Sequence, residues 1–169
     1  MSEVRRLAHV ERIPMRWGDM DANGHVNNTV YFRYMEQARI GWFDALVPEA
    51  EAWKTTGIVV ANATCNYKRA MTYPGSVEVR LYVGKPGGSS VPTQYELRVD
   101  ADPQPYADGA ALVVFVDMKR QRSTRIPDGI RGRPLSLIQE SADVCVRGGV
   151  DIDRKRRQRM LRDASKTVL

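Results

Sequence analysis

The stretch RWGDMDANGHVNNTVYFRYMEQAR, residues 16–39, changes from a polar loop into an amphipathic helix. From Thr29 onward, apolar residues recur at the three- and four-residue spacing of one helix face, and Pro48 is expected to end the helix. The loop ahead of the helix holds two acids, one of the two histidines and three asparagines. A helix start needs a single side-chain acceptor, which Asn27 or Asn28 already supplies. The other polar residues therefore point to a second role. The predicted apolar face comprises Val30, Tyr31, Tyr34, Met35, Ala38, Trp42, Ala45 and Leu46.

The segments around this helix have the pattern of extended strands. Residues 7–17 precede the loop and alternate in polarity, while β-rich segments follow at 57–68, 76–83, 91–99 and 111–120. Glycine and proline separate these segments, as turns require. One long helix after the first strand, followed by a meander of strands, predicts an α+β domain with an antiparallel sheet packed on the helix. Because such a sheet has exposed edges, we expect a homodimer or homotetramer.

The C-terminal part of the chain has a different composition. Turn residues without a clear period fill 126–134, so we place the main domain at 1–133 and a basic, helical extension at 134–169, with helices at 135–146 and 151–162. The run DRKRRQRMLR, residues 153–162, could bind nucleic acid or an anionic membrane surface, but it lacks interleaved aromatic residues and any recognisable nucleic-acid motif. We therefore expect a solvated or oligomer-contacting helix, and no nucleic-acid partner.

Composition excludes several classes of protein. The chain has 169 residues and a net charge of +6, and it contains neither a secretory signal nor an apolar run long enough to cross a bilayer. A cytoplasmic protein without membrane insertion is expected. Cys65 and Cys145 are too few for a disulfide framework or a metal-ligand cluster. The sequence also lacks a phosphate-binding loop, a dinucleotide fingerprint and a histidine pair at metal spacing, so no cofactor or metal is expected.

The loop alone has a coherent chemical interpretation. Gly24 permits a backbone conformation closed to other residues, and the following helix presents unpaired N–H groups and the positive end of its dipole. An acid next to these groups can attack a carbonyl, or activate water, while the N–H groups hold the developing oxyanion. This arrangement suits acyl transfer. The alternative is structural, because Asp and Asn are common before helices simply as caps and turn residues.

Two segments resemble a known family. GDMDANGHVNNTVYFRYMEQAR is similar to the signature of hotdog-fold acyl-CoA thioesterases of the 4-hydroxybenzoyl-CoA thioesterase type, in which an Asp-x-x-x-His-Val-Asn-Asn loop enters the central helix. NYKRAMTYPGSVEV, residues 66–79, is similar to the Tyr-Lys-Arg segment of the family, which is followed by Pro-Gly and a strand. The resemblance covers about residues 7–130. It implies a hotdog fold, in which the antiparallel sheet wraps around one long central helix.

The resemblance also implies roles for individual residues. The catalytic carboxylate of the family lies four residues before the histidine, which is Asp21 here, and it acts as nucleophile or general base. Asp19 occupies the position of a common but less essential loop acid. Main-chain N–H groups at the helix start hold the oxyanion, with Asn28 the best match. His25 and Asn27 would shape the loop, order the carboxylate or contact the thioester.

Further roles follow from the same resemblance. Some hotdog thioesterases use a helix carboxylate from the partner subunit, and Glu36 is the residue that fits this alternative. Cationic side chains at the sheet edge are candidates for coenzyme A phosphates: Lys68 and Arg69 above all, then Arg120 and Arg122. The implied activity is hydrolysis of a fatty or aromatic acyl-CoA, as in fatty acid metabolism. A non-catalytic module binding acyl-CoA or acyl-carrier protein is the alternative, and an enoyl-CoA hydratase fits less well because its Asp–His spacing differs.

Overall fold

The computed structural model describes residues 5–46 and 55–131. Their elements follow in chain order: β1 (Arg6–Pro14), a 3₁₀ turn (Trp17–Asp19), α1 (Asn28–Leu46), β2 (Thr56–Tyr67), β3 (Ser76–Val83), β4 (Ser90–Val99), β5 (Ala107–Asp117), β6 (Arg122–Ser123) and α2 (Asp128–Arg131). Neither helix in these segments has the length and apolar character needed to cross a membrane. The expected stop at Pro48, the helices at 135–146 and 151–162 and the domain boundary after residue 133 lie outside the described residues.

The strands form one antiparallel sheet in the order β1-β3-β4-β5-β2, and the short β6 pairs with the end of β5. Register follows the alternation of buried residues. In β4, for example, Val91, Thr93, Tyr95, Leu97 and Val99 are buried while the residues between them are partly exposed. The period of two places every second side chain on the same face of the sheet. The prediction of an α+β domain with an antiparallel sheet packed on one long helix is therefore confirmed.

The helix α1 covers the apolar face of this sheet. Seven of its residues are buried, and most of them belong to the predicted apolar face: Val30, Tyr31, Tyr34, Met35, Ala38, Trp42 and Phe43. Gly109 in β5 permits the close approach, since a Cβ atom built there would lie 2.6 Å from Met35 Sδ and 2.7 Å from the Thr64 carbonyl oxygen. A larger residue at this position would displace the Met35 side chain and strain the pairing of β5 with β2.

The opposite face of the sheet carries charged side chains in ion pairs. Glu78 accepts hydrogen bonds from Arg12 at 2.9 Å and from Arg80 at 2.7 Å. Burial acts to raise the pKa of Glu78, but the hydrogen bonds from Arg80 and Arg12 outweigh it and hold the pKa below the ordinary value. Glu96 is paired in the same way with Arg5 and Arg98, both at 2.9 Å. Charge pairing therefore compensates the partial burial of these carboxylates.

The two edges of the sheet are β1 and β2, and β2 is unusually open. Eight of its twelve residues are exposed, including the apolar Val59 at 47% and Val60 at 40%. Its partner β5 covers only one edge of its backbone. The N–H and C=O groups of the other edge are the kind that pair readily with a further strand.

Element boundaries agree closely with the predictions except at the end of β1, which stops at Pro14 rather than at residue 17, and in β5. The predicted strand covered residues 111–120, whereas β5 spans Ala107–Asp117. Its start is fixed by pairing, because Ala107 lies opposite both Tyr67 and Leu97. Its end is fixed by a turn, in which the Asp117 carboxylate accepts the N–H groups of Lys119 and Arg120, each at 2.9 Å. Tertiary pairing overrides the low strand propensity of the first residues of β5.

Candidate active site

The loop between β1 and α1 folds into a tight turn around Asp21. The Asp21 N–H donates to the His25 carbonyl at 2.8 Å, and the Gly24 N–H donates to the Asp21 carbonyl at 3.0 Å. Gly24 has a φ of +72°, a left-handed conformation that favours glycine. Met20 and Val26 then pair as an isolated antiparallel bridge, which closes the turn. The polar segment is thus a rigid turn that holds Asp21 directly ahead of the helix.

The Asp21 carboxylate has one anchored oxygen and one open oxygen. Oδ1 accepts the Asn23 N–H at 2.8 Å and, at 3.4 Å, the His25 N–H. Oδ2 has no hydrogen-bond partner among the described residues. The side chain is half-buried. Asp21 therefore performs the structural role expected of an acid in a turn through Oδ1 alone.

The first turn of α1 leaves a single N–H group available in the same way. Asn27 acts as the N-terminal cap, since its Oδ1 accepts the Thr29 N–H at 2.9 Å and the Thr29 hydroxyl at 2.7 Å. Only the N–H of Asn28 lacks an acceptor within the described part of the chain. Four neighbouring N–H groups are occupied: Val26 by the Met71 carbonyl, Asn27 by the Asp19 carbonyl, Thr29 by the Asn27 side chain and Val30 by the Asn27 carbonyl.

An open cavity of about 320 Å³ brings these groups together. Its walls come from the loop, from the start of α1 and from the segment that follows β2. Five predicted site residues line it: Asp21, His25, Asn28, Lys68 and Arg69. Asn27 does not, because its side chain is turned to the helix cap. The residues that line the cavity thus carry a carboxylate, an imidazole, an unpaired N–H group and two cations, a set that can attack and polarise a carbonyl beside an anionic group.

The two cations in the cavity already have carboxylate partners. Lys68 forms an ion pair with Asp108, and Arg69 pairs with Asp102 at 2.7 Å while its guanidinium lies 4.0 Å from the centre of the Tyr106 ring. The hydrogen bond from Lys68 lowers the pKa of Asp108. Both cationic side chains remain 45% exposed. Such surface pairs are weak and can exchange with an incoming phosphate.

The other predicted site residues lie elsewhere. Glu36 lines a second, larger cavity of about 430 Å³ between α1 and β2, and its carboxylate has no partner among the described residues. It lies eight residues along the helix from Asn28, or about 12 Å. Arg120 and Arg122 follow the far end of β5, ten residues or about 33 Å from Ala107 at the site end. Their distance from the candidate active site argues against a role with Lys68 and Arg69.

Asp19 has a structural environment. Its Oδ2 accepts the Arg16 N–H at 2.8 Å and the Tyr34 hydroxyl at 2.9 Å. Burial raises the pKa of Tyr34, and the Asp19 carboxylate adds to this effect, so the phenol stays protonated and remains a donor. Asp19 thus joins the loop to the buried face of α1 and has no oxygen directed into the 320 Å³ cavity among its described contacts.

Sequence reasoning missed Tyr67, the last residue of β2. Tyr67 lines the cavity beside Asp21, and its hydroxyl donates to the Asn28 carbonyl at 3.1 Å. The local signal was the Tyr-Lys-Arg segment at residues 67–69, which resembles the family but gave the tyrosine no role of its own. Nothing in the spacing of the sequence joins residues 39 positions apart.

No group of three or more His, Cys, Asp or Glu side chains within residues 5–46 and 55–131 is arranged to hold a metal ion.

Comparison with known proteins places the chain among thioesterases. Residues 15–133 match the thioesterase-like superfamily. The protein PA2801 of Pseudomonas aeruginosa is 41% identical, with a TM-score of 0.68 over 75% of this chain and 98% of that one. A thioesterase from Thermus thermophilus, solved with coenzyme A and Zn, is 28% identical, with a TM-score of 0.66 over 76% and 98%. The long-chain acyl-CoA thioesterase FadM of Escherichia coli (strain K12) is 24% identical over 131 residues, 76% of this chain and 98% of FadM.

Proposed function

The chain belongs to the thioesterase-like superfamily, and on that premise we propose that Asp21 and the Asn28 N–H form the catalytic centre of an acyl-CoA thioesterase. The hotdog fold and the activity as a thioester hydrolase follow from the family and from relatives named as acyl-CoA thioesterases. One observation carries the assignment of residues. Asp21, which has an open carboxylate oxygen, and Asn28, which has the unoccupied N–H of the helix start, line the same cavity.

The chemistry needs few groups because a thioester is already reactive. The Asn28 N–H donates to the carbonyl oxygen of the substrate and stabilises the negative charge that develops there. The peptide group carrying this N–H has its own carbonyl, that of Asn27, occupied by the Val30 N–H at 2.9 Å. A peptide group that accepts a hydrogen bond at its oxygen is polarised and donates more strongly from its nitrogen.

Two routes use the same Asp21 oxygen. As a nucleophile, Oδ2 attacks the carbonyl carbon, the C–S bond breaks and the thiolate leaves with the electron pair. Water then hydrolyses the mixed anhydride, and the proton released as the Asp21 carboxylate is restored passes to the thiolate. As a general base, Oδ2 takes a proton from water while the water oxygen attacks the carbon, and the proton then passes to the departing thiolate. Both routes yield a carboxylic acid and free coenzyme A. Neither needs a metal or redox cofactor.

The two ends of the substrate have separate places. Lys68 and Arg69 bind coenzyme A phosphates at the mouth of the 320 Å³ cavity, and a thioesterase of the same fold solved with coenzyme A supports this class of ligand. The acyl group enters the 430 Å³ groove between α1 and β2, whose lining is mainly apolar but also includes the charged residues Arg33, Glu36 and Arg39. Apolar lining suits an aliphatic or aromatic acyl group.

The open strand β2 is the proposed surface for a second copy of the chain. Its exposed valines and its backbone edge beside the groove fit the expectation of a homodimer or homotetramer. Pairing there would close the groove that holds the acyl group.

The test measures turnover of a panel of short, long and aromatic acyl-CoAs. Turnover is monitored as the loss of ultraviolet absorbance of the thioester, because this readout needs no thiol reagent that would react with Cys65. We expect Asp21→Asn to lower kcat by between about a hundredfold and ten-thousandfold. Asp128→Asn, an exposed acid at the start of α2, is the matched control. Turnover retained in Asp21→Asn and lost in Glu36→Gln would overturn the assignment in favour of the helix carboxylate. Bound acyl-CoA without turnover in the unmodified protein would instead indicate a binding module.

A further inference from the structure

Tyr67 connects the edge of the sheet to the first residue of the central helix. Its hydroxyl donates a 3.1 Å hydrogen bond to the carbonyl oxygen of Asn28, the residue whose N–H group is unoccupied. The contact is long-range in sequence, across 39 positions, but local to the cavity that both residues line. A side chain of β2 therefore holds the backbone at the point where α1 begins.

The backbone on both sides of the Asn28 N–H is fixed by hydrogen bonds. The peptide group before Asn28 is held at its carbonyl by the Val30 N–H, at 2.9 Å. The peptide group after it is held at its carbonyl by Tyr67 and at its nitrogen by the Asn27 side chain. With both neighbouring peptide planes restrained, the direction of the Asn28 N–H is set before a substrate arrives. A preorganised donor loses no energy in reorienting during the reaction.

The Tyr67 ring itself is well supported. It meets the buried Tyr31 ring edge-on, with centroids 5.0 Å apart and planes at 88°. This is the favourable T-shaped geometry of aromatic pairs. Tyr31 is itself packed in the core, where it is only 3% exposed. The Tyr67 side chain is therefore restrained in its position, although 48% of its surface is exposed.

The Tyr67 hydroxyl is protonated at neutral pH and can donate a hydrogen bond to the Asn28 carbonyl. Burial raises the pKa of the Tyr67 phenol, and the neighbouring Cys65 contributes in the same direction. Burial likewise raises the pKa of the Cys65 thiol, so at neutral pH a neutral thiol lies beside a neutral phenol. A carbonyl can only accept a hydrogen bond. The hydroxyl is therefore the donor in its contact with Asn28.

We infer that Tyr67 is a positioning residue for thioester hydrolysis, whose hydroxyl orients the Asn28 N–H that binds the oxyanion. This inference rests on the proposed function, in which Asn28 supplies the oxyanion donor. The effect belongs to the transition state, because the ground-state carbonyl carries less charge than the oxyanion. Removal of the hydroxyl therefore lowers kcat and leaves substrate binding in place.

The experiment compares Tyr67→Phe with Tyr73→Phe in the full-length protein. Tyr73 is 46% exposed, close to the 48% of Tyr67, and makes no hydrogen bond with another described residue. Each variant is first checked for an unchanged thermal transition. We expect kcat of Tyr67→Phe to fall about tenfold, with KM within twofold of the control. Loss of a whole oxyanion donor costs more, about a hundredfold or more in kcat. A kcat within twofold of Tyr73→Phe overturns the inference, and so does a rise in KM alone.

A second readout separates this inference from the proposed function. In ¹⁵N-labelled protein, the amide resonance of Asn28 should move in Tyr67→Phe and not in Tyr73→Phe, whatever the activity. If Asp21→Asn stays active, the proposed catalytic centre is wrong, and the Asn28 resonance still reports whether Tyr67 orients that group. If Asp21→Asn is inactive while Tyr67→Phe leaves both kcat and the resonance unchanged, the catalytic centre is supported and the positioning role of Tyr67 is overturned.

Discussion

The hydroxyl of Tyr34 lies 2.9 Å from Asp19 Oδ2 and joins the buried face of α1 to the loop that precedes it. Tyr34 is only 4% exposed, so few water molecules can replace it as a donor to the carboxylate. We expect Tyr34→Phe to lower the free energy of unfolding by about 1.5–3 kcal/mol, the range for a hydrogen bond to a charged group. Urea unfolding measures this change, with Tyr73→Phe as the control. Equal unfolding midpoints in the two variants would show that the bond contributes no stability.

Gly109 lies where Met35 of α1 and the backbone of β2 both come close to β5. Gly109→Ala places a Cβ atom against Met35 Sδ and the Thr64 carbonyl, and the backbone atom cannot move away as a side chain could. We expect a loss of about 1–3 kcal/mol in the free energy of unfolding, as for other overpacked sites. Gly88→Ala is the control, because a Cβ atom there meets nothing within 4 Å. A Gly109→Ala protein as stable as this control would mean that the Met35 side chain and the β2 backbone can both move aside at little cost.

The ion pairs of Glu78 predict a loss of stability in acid. The pKa of Glu78 is lower in the folded protein than in the unfolded chain, where it is about 4.3. The Glu78 carboxylate therefore stabilises the fold at pH values above about 4.3, and this contribution is lost as the pH falls through the lower pKa of the folded protein. Urea midpoints measured between neutral and acid pH should fall less steeply in Glu78→Gln than in the unmodified protein. Glu36→Gln, at an exposed acid without a described partner, should keep the original pH dependence. Parallel curves for all three proteins would contradict the prediction.

Arg69 should distinguish substrates by their phosphate groups. We expect Arg69→Ala to raise KM for an acyl-CoA about threefold to tenfold, as a partly exposed charge-assisted contact would cost. The same substitution should leave KM unchanged for the acyl thioester of N-acetylcysteamine, which has no phosphate. Arg122→Ala removes a cation near the far end of β5 and serves as the control. A similar rise in KM for both thioesters would indicate that Arg69 acts on the fold of the cavity.

The edge strand β2 should carry the contact between copies. Val60→Lys places a charge on this edge, and we expect it to lower the molar mass measured by light scattering at micromolar protein concentration. Leu7→Lys makes the matched change at the opposite edge strand, where Leu7 is 43% exposed. An unchanged mass for Val60→Lys, or the same loss of mass in both variants, would place the interface elsewhere.

Much of the fold was predictable because its signals are local. The periods of two and 3.6 residues locate β2, β3, β4 and α1 to within about one residue of their observed limits at most ends. The start of β5 was not predicted because Ala107 belongs to a strand only through its pairing with Tyr67 of β2 and Leu97 of β4. These pairings join parts of the chain that are distant in sequence.

The residues of the candidate site also fall into those that a local motif predicts and one that depends on a long-range contact. Asp21, His25 and Asn28 are close in sequence, so one motif was enough to predict them together, and all three line one cavity. The role of Asn27 as a helix cap follows from local hydrogen bonding. Tyr67 depends on how β2 lies against the start of α1, which no spacing along the sequence encodes.

The turn around Asp21 also bears on how the protein ages. Asparagine is among the heat-labile residues, and Asn23 is followed by Gly24. In this dipeptide the glycine nitrogen most readily attacks the asparagine side chain, whose amide nitrogen leaves as ammonia. In the folded turn the Gly24 nitrogen donates its hydrogen to the Asp21 carbonyl at 3.0 Å, while the Asn23 N–H is held by the Asp21 carboxylate. The geometry that presents the carboxylate thus also restrains the reacting nitrogen. Chemical damage at this dipeptide should therefore accumulate first in molecules whose turn has opened.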